Sequence, residues 1–188
     1  MRPDRRWDCK ALKHIFQMLN SDQLINILKE KKYDFEIHKH EALFTVEDSN
    51  KLRGVIKGSH SKNLFLKNKK NNFYLISCEE HDQINLKIIS KSLNLGNTSF
   101  AREEYLNEYL GVKTGTVSPF ALLNDQKNDV IFYLEKTLYE SELLNFHPLI
   151  NTLTITMLTQ KFIEFMIENK KKIHIFSCVE GKILKTYG

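Results

Sequence analysis

The sequence predicts an α+β domain in which a curved, mostly antiparallel mixed sheet is flanked by helices. Three observations carry that expectation. A chain of 188 residues, 41% of them hydrophobic, can bury one continuous core without disulfides or metal, so one compact domain is the default. Stretches with the 3.6-residue period of helices interleave with stretches of period two, without the regular strand–helix–strand beat of a parallel sheet. Two apolar runs, 62–67 and 73–77, flank Asn68-Lys-Lys-Asn-Asn72, whose asparagines tolerate the left-handed backbone that a hairpin needs.

Ser21 is a candidate cap for a helix whose Leu24, Ile27 and Leu28 share one face, ending near Lys32. Tyr33, Phe35 and Ile37 alternate with Asp34, Glu36 and His38, the pattern of a half-buried strand. Thr45 and Asp48 approximate a capping box for a helix over 46–53 that stops near Gly54, and Gly58 opens the next connection. After the hairpin, 84–93 and 100–110 carry helical spacing, the second with Ser99 as cap and Gly111 as stop. Two glycines, a proline and small polar residues make 111–128 a loop suited to bringing backbone close to a ligand. Strands are expected at 130–134, 143–146, 151–156 and 173–178, and a helix at 159–168 packing through Phe162, Ile163 and Met166.

A net charge of +5, most of it from lysine, admits a polyanionic partner, although solvated lysine clusters are also ordinary surface. Cys9, Cys78 and Cys178 are odd in number and widely spaced, which supports neither a disulfide framework nor a zinc ribbon and fits reduced thiols in the cytoplasm. No run approaches the length of a membrane span. Arg2, Arg5 and Arg6 give the N-terminus a basic character, but Asp4 and Asp8 argue against a targeting peptide. Signatures of P-loop nucleotide hydrolysis, zinc proteolysis and lipase chemistry are missing. His38 and His40 share a strand face without a supporting Cys or carboxylate set, so a solvated strand edge is preferred to a metal site.

Lys62 stands at a strand entrance beside Asn63, where an ammonium can draw a phosphate or oxyanion, or can simply be a surface charge. Gly115-Thr-Val-Ser-Pro-Phe120 offers successive amides that suit a developing oxyanion, and equally a tight turn before a short helix. His147, before Pro148, is either a general base or a hydrogen-bonded core histidine.

Taken as an ordered set, Lys62-Asn-Leu-Phe-Leu-Lys67, Gly115-Thr-Val-Ser-Pro-Phe120, Asn124-Asp125, Phe146-His-Pro148 and Asn151-Thr152 resemble the YbaK/ProX family of aminoacyl-tRNA editing domains. The likeness runs from about Ser21 to Glu168. It departs at Leu153-Thr-Ile-Thr156, where small residues are usual, and at Asn169-Lys170, which replaces a common Gly-His. The resemblance implies a partly barrel-like sheet over residues 21–180, with 1–20 as an extension and 181–188 as a tail. It implies Lys62, Asn63 and His147 as catalytic residues, and Gly115, Thr116, Val117, Ser118, Pro119, Asn124, Asn151 and Thr152 as the substrate-binding set. No metal and no cofactor is implied.

The activity so implied is ester hydrolysis that frees a wrong amino acid from tRNA, alanine on proline tRNA first. Prolyl-tRNA synthetase is the implied partner, in cis or in trans. Lys67, Lys69 and Lys70 are expected to meet RNA phosphates, because they lie on the hairpin adjoining the site. The alternatives are a non-catalytic RNA-binding or appended domain of a prolyl-tRNA synthetase or multi-synthetase assembly, and a Cys-tRNA(Pro) deacylase.

Overall fold

The structure, a computed structural model, describes residues 18–42, 56–82 and 85–188. The helix expected over 46–53 and Cys9 lie outside the described residues. Helix α1 (Ser21–Glu30) is capped by Asn20 rather than Ser21. The Asn20 side chain accepts from the Gln23 amide, and the Gln23 side chain accepts from the Asn20 amide, a reciprocal box that satisfies two donors at once. Leu24, Ile25 and Leu28 bury its inner face. Strand β1 (Glu36–Lys39) is shorter and more exposed than the alternation suggested. Tyr33 and Phe35 reach the core from the connection before it, whereas Ile37 stays exposed.

The expected hairpin is formed by β2 (Ser59–Asn68) and β3 (Phe73–Glu79), with Asn71 at φ +60° in the turn and the Asn68 side chain accepting from the amides of Lys70 and Asn72. Helix α2 (Leu86–Ser92) follows, capped by Asn85. Ser99 is not a cap. It sits within β4 (Thr98–Phe100), which pairs antiparallel with β2, and only then does α3 (Glu103–Tyr105) begin, passing into a π-helical turn at Leu106–Leu110. The chain stops there as expected, with Gly111 at φ +64°. The glycine-bearing loop contains a 3₁₀ helix, Pro119–Asn124, capped by the Ser118 hydroxyl. Then come β5 (Val130–Glu135), α4 (Lys136–Glu140), β6 (Leu143–Phe146), β7 (Leu153–Leu158), α5 (Thr159–Glu168), β8 (Ile173–Ser177) and β9 (Lys182–Tyr187). Residues 182–187, expected within a tail, instead extend the sheet by pairing antiparallel with β8. The Tyr187 hydroxyl meets that of Tyr139 at 2.8 Å.

The sheet runs β1-β7-β6-β2-β3-β5-β8-β9, with β4 added beside β2. Its pairings are antiparallel except at β2–β6, β3–β5 and β5–β8. The larger core lies between the sheet and α1, α5 and the 3₁₀ helix, where Phe120, Phe146, Phe162 and Phe165 are buried together. A smaller cluster, with Leu66, Ile76 and Cys78, lies under α2 on the opposite face.

Strand β2 carries the feature that creates the site. Along one edge it pairs with β3 over Ser61–Lys67; on the other, β6 reaches only Ser59 and His60, and β4 only Leu66 to Asn68. The edge from Ser61 to Phe65 therefore faces no strand among the described residues. Because His60 accepts from the Glu80 amide across the β3 edge, alternation sends the main-chain groups of Ser61, Asn63 and Phe65 toward this gap.

Candidate functional site

A cleft of about 450 Å³ opens at the gap. Its walls come from β2 (His60 to Asn63, and Phe65), from Glu80 just after β3, from Phe100 and Ala101 at the end of β4, from the Thr114–Val117 turn, and from Asn145, Phe146, His147 and Thr154. Three groups that the sequence singled out separately, Lys62, Gly115 and His147, thus line one hollow.

Each wall has a local cause. Asn63 braces two parts at once: its Nδ2 donates to Val117 O at 3.1 Å, pinning the glycine turn to β2, and its Oδ1 accepts from Ser77 Oγ at 2.5 Å. Ser61 Oγ donates to Asn145 O at 3.1 Å, and Ala101 N donates to Phe65 O at 3.0 Å, so the gap is bridged at both ends. Gly115 has φ +85°, a conformation that a Cβ disfavours. Within that turn the Thr116 amide closes on Lys113 O, and the Thr116 hydroxyl donates to the same carbonyl. Ser118 and Pro119 are buried and start the 3₁₀ helix. Of the predicted segment, therefore, Gly115 and Val117 face the cleft, while Thr116, Ser118 and Pro119 hold the turn in shape.

Lys62 Nζ donates to the carbonyl oxygens of Glu80, at 3.1 Å, and Asp82. An ammonium has three donors, so two are committed to orienting the group and one is left for a bound acceptor. Asp82 lies partly buried beside it; desolvation, with Glu135 and Glu79 nearby, pushes its carboxyl pKa up, and the Lys62 charge opposes that rise.

His147 Nδ1 lies 3.0 Å from Leu153 O. A carbonyl only accepts, so Nδ1 carries the proton and the lone pair of the neutral ring is at Nε2. Burial is the main cause holding this imidazole below its ordinary pKa of 6.5; His40 and His60 add to the depression, while the Leu153 carbonyl and Glu80 oppose it. The ring is therefore neutral at pH 7. The turn after it places buried Leu149 at φ +66°, a strained conformation for a leucine. His40 stands behind, its ring 6.0 Å from that of His147, with Nε2 at 2.9 Å from Thr154 Oγ1. No group of three His, Cys, Asp or Glu that could hold a metal exists among the described residues.

Other predicted site residues lie elsewhere. Asn124 is a structural clamp: its Nδ2 donates to Leu110 O at 2.8 Å and its Oδ1 accepts from Leu19 N at 2.6 Å, and it is not among the residues lining the cleft. Asn151 and Thr152 belong to the turn between β6 and β7 and are not among the lining residues; Thr152 O accepts from His40 N at 3.1 Å. Lys67 Nζ sits 4.6 Å from the centre of the Tyr105 ring, a cation–π contact. Lys69 and Lys70 occupy the hairpin turn, exposed, and Lys69 is about 23 Å along the strand from Lys62, so they adjoin the distal end of the hairpin and not the cleft.

His60, Glu80, Phe100, Asn145 and Thr154 line the cleft without having been singled out in the sequence. Counting back from the Asn68–Asn72 turn would have set His60 across from Glu80. Replacing Asn124 by alanine is expected to cost about 1–3 kcal/mol of stability, since it strips partners from buried backbone groups. Ligand binding in the cleft per folded molecule should be retained, and urea titration beside a binding assay separates the two effects.

A curved mixed sheet with this cleft defines a class of domain, and similarity to known proteins identifies it. The model of the family "Aminoacyl-tRNA editing domain" matches residues 40–165, so the chain belongs to that family, whose general activity is the editing of aminoacyl-tRNA by deacylation. The chain is 40% identical over 133 residues to prolyl-tRNA synthetase associated domain-containing protein 1 of Xenopus laevis, covering 68% of this chain and 79% of the relative. It is 30% identical over 131 residues to the prolyl-tRNA editing protein ProX of Acetoanaerobium sticklandii, covering 69% and 80%. In fold it is similar to the crystal structure of a candidate trans-editing enzyme for prolyl tRNA synthetase, with a TM-score of 0.61 at 15% identity, over 84% of this chain and 96% of that one. No helix among the described residues is long and apolar enough to cross a membrane.

Proposed function

We propose that this chain hydrolyses the ester of a mischarged tRNA, alanyl-tRNA(Pro) first among the substrates, as a proofreading step beside a prolyl-tRNA synthetase. The observation that carries the reading is the convergence of Lys62, Gly115 and His147 on one cleft at the open edge of β2. The names of the relatives, a synthetase-associated domain and a prolyl-tRNA editing protein, support the choice of tRNA.

The aminoacyl ester is intrinsically reactive, so holding it against water in a site that favours the oxyanion supplies much of the catalysis. Lys62 offers its third donor to the substrate, and the amides of Gly115 and Val117 are the cleft-lining ones not used within the turn. Neutral His147, with its lone pair at Nε2, accepts a proton from the attacking water and returns it to the ribose oxygen as the acyl C–O bond breaks. The ribose hydroxyl next to the ester, absent from DNA, helps position that water.

A space of about 450 Å³ far exceeds a methyl group, so the size filter must lie at the apolar end, among Phe65, Leu106, Val117 and Phe146. Proline is spared there by bulk, whereas serine differs only by a hydroxyl that such a pocket rejects weakly. Alanyl-, seryl-, cysteinyl- and prolyl-tRNAs incubated with the protein test the reading. Loss of alanine with retention of proline is expected, and salt-sensitive RNA binding without release of any amino acid would replace the enzyme by a binding module.

The His147 role has a pH signature. With its pKa held below 6.5, the acidic limb of the rate profile should lie at lower pH than the titration of a free imidazole. His147→Asn should remove that acidic limb; a limb unchanged in the variant assigns it to another group. Stability follows the same sign. The unfolded state binds the proton first, so the contribution of neutral His147 is complete above the ordinary imidazole pKa and is lost as pH falls from there through the lower folded-state pKa.

A further inference from the structure

The cleft contains one aromatic side chain unlike its others. Phe65 and Phe146 are 4% and 2% exposed, whereas Phe100 is 61% exposed, although it lines the same hollow. A mobile loop would explain such exposure, but Phe100 is not on one. It ends β4, whose three residues pair with β2 at Leu66, Lys67 and Asn68. The next residue, Ala101, donates its amide to Phe65 O at 3.0 Å, and the Thr98 hydroxyl lies 2.5 Å from Ser90 Oγ of α2. The ring is therefore presented to solvent from a backbone fixed on both sides.

Its position relative to Lys62 gives the exposure a use. Residues directly opposite across an antiparallel pair share a face, so Phe100 stands on the face of Leu66, and Lys62, four residues back along β2, is on that face too. The backbone positions of Lys62 and Phe100 are thus separated by about 13 Å along the strand, and both residues line the cleft. Single-stranded RNA ends are recognised by stacking unpaired bases on aromatic side chains, a contact that needs an exposed ring on a rigid support.

We propose that Phe100 is a stacking platform for the unpaired terminal base of the tRNA acceptor end, so that the site holds the nucleotide bearing the ester as well as the amino acid. This rests on the reading of the cleft as an editing site for charged tRNA. Arg102, exposed two residues further on, is placed to meet the neighbouring phosphate. Phe100 is then a positioning residue for the ester, acting on binding more than on the chemical step.

The test uses an uncharged acceptor-stem RNA carrying 2-aminopurine as its terminal base, whose fluorescence is quenched by stacking; it therefore reads the contact whether or not the protein hydrolyses any ester. Wild type should quench the probe, Phe100→Trp should preserve the quenching, and Phe100→Ala should abolish it and weaken RNA binding by about 5- to 150-fold. An acceptor stem with an abasic terminal nucleotide should bind wild type and Phe100→Ala equally. In single-turnover deacylation the loss should fall on the half-saturating enzyme concentration, with the saturating rate largely retained. Quenching that survives in Phe100→Ala, or an abasic end that binds wild type as tightly as the intact one, overturns the proposal. So does RNA binding indifferent to Phe100 together with a wild-type dimer that Phe100→Ala dissociates, since the ring would then cover a second copy. Quenching that depends on Phe100 in a protein that deacylates nothing would leave the stacking contact standing and remove the hydrolytic reading alone.

Discussion

Replacing Lys62 by alanine is expected to lower single-turnover deacylation by about 10²- to 10³-fold, the usual consequence of deleting one preorganised donor at a developing charge. The geometry explains why the effect should be local. Lys62 Nζ is held by the carbonyls of Glu80 and Asp82 at the solvent-reachable mouth of the cleft, and water can replace it there. The thermal midpoint should therefore move by only a few degrees, in line with about 1 kcal/mol for a domain of this size. Lys62→Arg is not expected to restore the rate, because a planar guanidinium cannot reproduce a compact ammonium set between two carbonyls. Circular dichroism and melting alongside the rate assay decide the matter: a variant that folds and deacylates like wild type would take Lys62 out of the mechanism.

Phe120→Ala should give the largest loss of stability, about 3–5 kcal/mol from lost transfer energy and the cavity left behind. Phe120 is fully buried and packs edge-on against Phe146, Phe162 and Phe165, with ring centroids at 6.0, 5.7 and 5.9 Å. It thereby joins the glycine turn, β6 and α5. A domain stable by about 5–15 kcal/mol cannot lose that much without a large fall in its urea midpoint. The turn that carries Gly115 should loosen with it, since Pro119 and Phe120 anchor its end, so activity should decline at urea concentrations well below the global transition. A cost under about 1 kcal/mol would mean that neighbouring side chains fill the space and that the cluster is not the anchor.

Local chemistry made several elements legible in the sequence. The asparagine-rich turn of the β2–β3 hairpin, the left-handed stop at Gly111, strand 143–146 and helix 159–168 are where turn residues and periodicity place them. Errors arose where two local readings competed. Asn20 and Ser21 are both good caps, and the reciprocal bond with Gln23 decides for Asn20. Ser99 is a good cap by type, but Thr98 and Phe100 suit a strand, and pairing with β2 decides for the strand. Strand β9 is exposed along nearly its whole length, so no alternation marks it, and only β8 makes it a strand. Among site residues, motif order picked out Lys62, Gly115 and His147, but it also brought in Asn124, whose amide serves the backbone of Leu19 and Leu110.

What the amino-acid sequence determined by itself was the family, the mixed fold class and the kinds of group available for chemistry, because these depend on residue identity, order and spacing. Only the tertiary structure decided that β2 loses its neighbour between β6 and β4, that Glu80, Phe100 and Thr154 line the opening, and that the hairpin lysines do not. The physical reason is range. Turns and caps are chosen by forces acting over a few residues, whereas a gap in a sheet depends on which distant strands bond to which edge, and that is settled when the whole core packs.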